Sequence, residues 1–67
     1  MENKRFNGKR LRRIRERQKM SQFALACAIE VEMDLVNAWE RGRFIPGKYS
    51  VNKLCTVLRC EEADLYE

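Results

Sequence analysis

The sequence predicts an all-α chain, and three observations carry that prediction. Apolar residues recur three and four positions apart and do not alternate, one proline and three glycines are the only strong breakers in 67 residues, and good helix N-caps stand before the periodic runs.

The first helix starts from Asn7, a residue suited to cap free backbone N–H groups, and places Leu11, Ile14 and Gln18 on one face with Phe6 packing from before it. Little local chemistry enforces its end near Lys19 and Met20. Ser21 caps a second helix of about eight residues, with Leu25, Ala26 and Ile29 inward. A turn at Glu30, Val31 and Glu32 leads to a third helix over residues 33–41, which buries Trp39 and either Leu35 or Val36, and Gly42 ends it. Residues 43–47 read R-F-I-P-G, a loop by its Pro46 and Gly47. A fourth helix begins at residues 47–50, with Val51, Leu54, Cys55 and Leu58 on one face. Ala63, Leu65 and Tyr66 form a last short turn over the core. Helices this short must hold one another by packing.

One small domain, residues 1–67, is what this length allows. A chain of this size buries only roughly 60% of the surface its unfolded form exposes, which argues against a deep substrate cleft. There is no histidine, and Cys27, Cys55 and Cys60 show no C-x-x-C spacing, so neither a general base nor a metal-ligand set is evident. The expectation is no catalytic residue, no metal and no small-molecule cofactor. The odd cysteine count without an apolar leader points to a reducing compartment, and no apolar run is long enough for a bilayer. The chain is therefore expected to be cytoplasmic, with no membrane partner. Cys55 and Cys60 read as core fillers and Cys27 as an inert small side chain.

Charge alternates in blocks. Residues 1–20 hold nine bases against two acids, residues 21–40 four acids and no base, residues 41–60 five bases and no acid, and residues 61–67 four acids, for a net +4. Such segregation favours a polyanion held across two basic segments, because neutralising phosphates releases counterions. A merely solvated basic face on the first helix explains the same charge pattern.

Gln22, Ala26, Ile29, Val31, Val36 and Trp39 together form a helix-turn-helix pattern over about residues 21–41. Ala26 is small enough for two helices to cross closely, and Ile29, Val36 and Trp39 fill the wedge between them and the first helix. With L-x-x-I-R at Leu11 to Arg15, S-Q-x-x-L-A at Ser21 to Ala26, W-E-R-G at Trp39 to Gly42, Pro46, and L-x-x-x-E-x-D-L-Y ending at Tyr66, the chain resembles the Xre-like helix-turn-helix domain of the lambda repressor and Cro type. The resemblance implies a compact five-helix, lambda-repressor-like DNA-binding domain, preceded here by a basic arm at about residues 1–6. It further implies base-reading positions at Met33, Asp34, Asn37 and Ala38, and phosphate contacts from Ser21, Gln22, Arg41, Arg43 and Lys48. It also implies a structural ion pair between Arg15 and Glu40. Phe23 stands where a polar residue is usual and marks either a partner surface or a single exposed apolar residue; Phe44 and Tyr49 serve either sugar contact or loop packing.

The sequence departs from the family pattern at four places. Lys19, Glu30 and Arg59 replace glycines favoured at turns, so those turns are either strained or differently shaped. Glu32 replaces the Ser or Thr that caps the reading helix, and its charge suits a helix N-terminus but not a nearby phosphate. Asp34 remains useful in a major groove, where it accepts from cytosine N4, and Met33 suits a thymine methyl.

These features lead to a sequence-specific DNA-binding transcriptional regulator, a repressor on a double-stranded palindromic operator. Dimerisation, at least on DNA, is expected through the tail around Leu58, Leu65 and Tyr66. The alternative is a helix-turn-helix turned protein-interaction module, an antirepressor or accessory subunit, whose acidic helix meets a basic partner.

Overall fold

A computed structural model describes residues 4–67; Met1 to Asn3, the start of the expected arm, lie outside the described residues. Four α-helices follow in order, α1 (Gly8–Arg17), α2 (Gln22–Ile29), α3 (Met33–Glu40) and α4 (Lys48–Leu58), and a 3-10 helix, Glu62–Leu65, closes the chain. The expected fifth helix is thus one 3-10 turn. Four residues are too few for an α-helix, and a reciprocal cap suits the tighter turn: the Asp64 carboxylate accepts from the Glu61 backbone and the Glu61 side chain from the Asp64 backbone.

Asn7 caps α1, its Oδ1 accepting from the N–H groups of Lys9 at 2.9 Å and Arg10 at 3.3 Å. Ser21 Oγ accepts from Ala24 N at 2.9 Å at the start of α2. Leu11, Leu25, Ala26, Ile29, Val36, Trp39, Val51, Leu54, Leu58 and Leu65 form one core, with Phe6, Ile14, Met20, Val31, Leu35, Cys55 and Cys60 packed around it. Val36 is the fully buried residue of α3 and Leu35 only half-buried, which settles the open choice between them.

Leu58 and Leu65 have no exposed surface. This corrects the expected dimer contact. The tail folds inward because the two ends of the described chain pair: Asn7 N donates to Leu65 O at 2.8 Å, Glu67 N donates to Arg5 O at 2.9 Å, and the Phe6 and Tyr66 rings meet edge to face with centroids 5.8 Å apart. Apolar surface expected to join two copies instead completes one core.

Lys19, Glu30 and Arg59 have φ of 61°, 63° and 56°, so the turns keep the left-handed shape that glycine would occupy without strain. In each, the next residue donates six-to-one to a carbonyl of the helix it leaves: Met20 N to Arg15 O, Val31 N to Ala26 O and Cys60 N to Cys55 O. Met20, Val31 and Cys60 all pack on the core. A half-buried apolar side chain packed on the core after each turn therefore offsets the left-handed backbone. Gly42, at φ 78°, ends α3 in the same way, yet Arg43 follows it and stays exposed, so there the chain turns outward.

Nothing in the local sequence marks Gly8 as special. A Cβ there would stand 2.6 Å from the Glu40 carbonyl oxygen and closer still to that of Trp39, because the N-terminus of α1 abuts the C-terminus of α3. No helix among the described residues is long and apolar enough to cross a membrane.

Two substitutions test these backbone constraints by thermal unfolding. Gly8→Ala should destabilise by at least about 2 kcal/mol, since backbone must move to admit the methyl group. Lys19→Gly should stabilise by about 0.5 kcal/mol, the strain removed less the added freedom of the unfolded chain. A fall in Tm for Lys19→Gly would show the turn to be unstrained.

Candidate nucleic-acid interface

α2 and α3 cross with Ala26 fully buried and Trp39 only 2% exposed, and α1 packs against α3. Arg15 of α1 and Glu40 of α3 make a two-pronged pair, Nε to Oε2 at 2.6 Å and Nη2 to Oε1 at 3.0 Å, with 8% and 7% of each residue exposed. Arg15 Nη1 also donates to Met20 O at 2.7 Å, in the turn before α2. The hydrogen bond to Glu40 raises the Arg15 pKa against the opposing effect of burial, so this guanidinium stays charged at all working pH.

Gln22, at the first position of α2, extends the pair. Its Nε2 donates to Glu40 Oε1 at 2.9 Å and to Asn37 Oδ1 at 3.3 Å. Asn37 is thereby oriented with its amide nitrogen available, and Gln22 keeps its own amide oxygen available. Arg12, Arg15, Gln22, Asn37, Glu40 and Arg41 line one hollow of ≈ 470 Å³. Arg12 was missed in the sequence. Its position three residues before Arg15 was the available signal, although Arg12 also pairs with Glu16 at 3.1 Å on the surface.

The expected reading positions share one side of α3, because residues i, i+1, i+4 and i+5 fall within one arc of a helix. Met33 and Asp34 are exposed, Asn37 and Ala38 half-buried, and Val36, Trp39 and Glu40 take the opposite arc. Arg41, Arg43 and Lys48 are all exposed, and among the described residues none has a carboxylate within the 4.0 Å of an ion pair. Arg41 lies in the hollow, Arg43 follows the Gly42 turn, and Lys48 opens α4, whose first N–H groups have no side-chain cap. Ser21 is exposed and its Oγ is occupied as the α2 cap. Glu32 makes no cap hydrogen bond and stands exposed at the start of α3.

The basic first segment divides. Arg12 and Arg15 face the hollow, whereas Arg10, Arg13 and Arg17 lie on the other flank of α1 beside Arg59. The charge that offsets the acid of α3 is therefore smaller than the sequence total suggests. Cys55 and Cys60 lie against each other at the end of α4, and burial pushes the Cys60 thiol up to about 12, which keeps it protonated and unreactive. Phe23, Phe44, Ile45 and Tyr49 are exposed; Lys53 sits over the Tyr49 ring at 4.9 Å.

A helix-turn-helix domain model matches residues 8–67. The chain belongs to this helix-turn-helix family. Solved structures place it among regulators of the lambda repressor and Cro type. The restriction-modification controller protein C.AhdI from Aeromonas hydrophila is 33% identical with a TM-score of 0.81, covering 87% of this chain and 88% of its own. The P22 c2 repressor, solved in complex with a synthetic operator, is 28% identical with a TM-score of 0.84, covering 91% of this chain and 92% of its own. The clp gene regulator ClgR from Corynebacterium glutamicum is 28% identical with a TM-score of 0.82, covering 87% and 62%. No curated protein matches this helix-turn-helix chain by sequence.

The ion pair at its centre is testable by stability. Glu40→Ala leaves Arg15 buried without its partner and should cost about 3 kcal/mol in urea unfolding, whereas Arg15→Met with Glu40→Leu should cost much less. Equal losses from both would show that packing, and not the stranded charge, is what matters.

Proposed function

We propose that this chain is a sequence-specific DNA-binding transcriptional regulator, a repressor acting on a palindromic operator as a homodimer at least on DNA. The observation that supports it best is the Gln22 amide bridging Glu40 and Asn37. Through it the start of α2, which would meet phosphate, and the reading side of α3 are held in one geometry by the buried pair behind them. Asn37 then offers its amide nitrogen to N7 or O6 of guanine, N7 of adenine or O4 of thymine. Arg41, Arg43 and Lys48, with the uncapped N–H groups of α4, grip the backbone on one side, and Arg12 and Gln22 grip it on the other. The P22 c2 repressor, a close match in fold, is a protein solved on an operator.

A second reading draws on Glu32 and Asp34, exposed at the start of α3 beside Met33, and on Phe23, which is 64% exposed on α2. On that reading the same helix docks on a basic protein partner. Glu32 separates the two. Glu32→Gln removes a charge that would repel phosphate and strengthens binding to DNA, but it removes a charge that would attract a basic partner and weakens that complex.

Selection of bound sequences from a random DNA pool tests the proposal, and recovery of no consensus would overturn it. On the recovered operator, Asn37→Ala should change the preferred sequence, whereas Arg43→Ala should weaken all sequences alike and lower the salt slope by about one unit. Affinity indifferent to salt would remove the phosphate grip. Sedimentation of the complex should give two chains per palindrome, and one chain on a single half-site would argue against the dimer.

A further inference from the structure

Arg10, Arg13 and Arg17 follow one another at three and four residues along α1, and nothing in the reading surface uses them. With Arg59 from the end of α4 they line a hollow of ≈ 370 Å³ whose apolar part is Ile14 and Cys60, on the other flank of α1 from Arg12 and Arg15. This hollow shares no residue with the one around Gln22 and Asn37. Asp64 is the one carboxylate lining it, and among the described residues no carboxylate lies within 4.0 Å of any of the four guanidinium groups. Arg10 is held in place, its Nη1 donating to Tyr66 O at 2.5 Å.

Two observations distinguish this cluster from a solvated basic face. It is concave, and Ile14 and Cys60 give it an apolar patch among the arginines, whereas a solvated face needs neither. It is also built from two elements, with three guanidinium groups from α1 and a fourth from Arg59 at the end of α4.

We propose that this hollow docks an acidic, amphipathic segment of a partner protein, its carboxylates on the arginine forks and an apolar side chain on Ile14 and Cys60. Guanidinium forks match carboxylates two bonds at a time, and a net charge of three on the lining complements a segment of several acids. A small anion fits less well: Arg13, Arg17 and Arg59 are exposed, so it would stay largely in water, whereas small ligands need most of their surface buried. A nucleic-acid duplex would engage the arginines through phosphate and leave Ile14 and Cys60 without a partner. The inference rests on the fold and not on the operator reading of α3. The hollow stays open when the opposite flank of α1 is covered, so both partners could bind at once.

Fluorescence anisotropy with the full chain and a labelled peptide of repeating Asp-Leu-Glu tests this. Saturable binding is expected, weakened about tenfold by Arg13→Gln with Arg17→Gln and unchanged by Asn37→Ala. Arg59→Gly should weaken the peptide several-fold while its Tm rises or holds, an outcome that loss of folding could not produce. Equal peptide affinity for the wild type and the double variant would overturn the proposal. So would displacement of the peptide by non-specific duplex DNA together with fewer duplexes bound by the double variant, which would make the hollow a second nucleic-acid contact.

Discussion

The buried pair between Arg15 and Glu40 is the interaction on which the arrangement of the first three helices depends. It joins α1 to the end of α3, reaches the turn before α2 through Met20 O, and passes through Gln22 to Asn37 on α3. Two charges taken out of water are tolerated only when their hydrogen bonds are satisfied, and among the described residues no buried side-chain polar atom lacks a partner. Each charge would be stranded if the helices crossed differently, so the pair penalises other packings. Gly8 permits the same contact from the other end, letting the α1 backbone meet the carbonyls that close α3.

The helix ends obey a single rule with one exception. Lys19, Glu30 and Arg59 accept a left-handed backbone, and each hands the chain to an apolar residue that packs inward. After Gly42 the chain passes instead to an exposed Arg43. The turn without a buried anchor is the one with glycine, as expected when no burial is on hand to offset strain. That exception also leaves Arg43 facing outward beside α3.

Charge, which dominated the sequence, divides in three dimensions. The basic first helix serves two flanks, with Arg12 and Arg15 on the hollow that holds Asn37 and three arginines on the hollow beside Arg59. The acid of α3 divides as well: Glu40 is buried and neutralised by Arg15, so its sign is not felt at the surface, while Glu32 and Asp34 remain exposed. Counting charges along the chain overstates both the basic and the acidic charge that α3 and its surroundings present at the surface.

The helices, their order and nearly all of their core were legible in the sequence, because burial follows the three-and-four spacing of Leu11, Leu25, Ile29, Val36, Trp39, Val51, Leu54 and Leu58, and caps such as Asn7 and Ser21 act within three residues of themselves. The candidate reading positions were legible through resemblance, and their shared arc through helical period. What the sequence could not yield depended on residues far apart in it. Leu58 and Leu65 looked available for a second copy until pairing of Phe6 with Tyr66 folded the tail inward; Gly8 looked like any glycine until α3 came to rest on it; and Arg13 looked like Arg12 until α4 placed Arg59 on one flank only. Local spacing determines which face of a helix is apolar, but only the packing of distant elements decides which neighbour covers that face and which charges are left facing water.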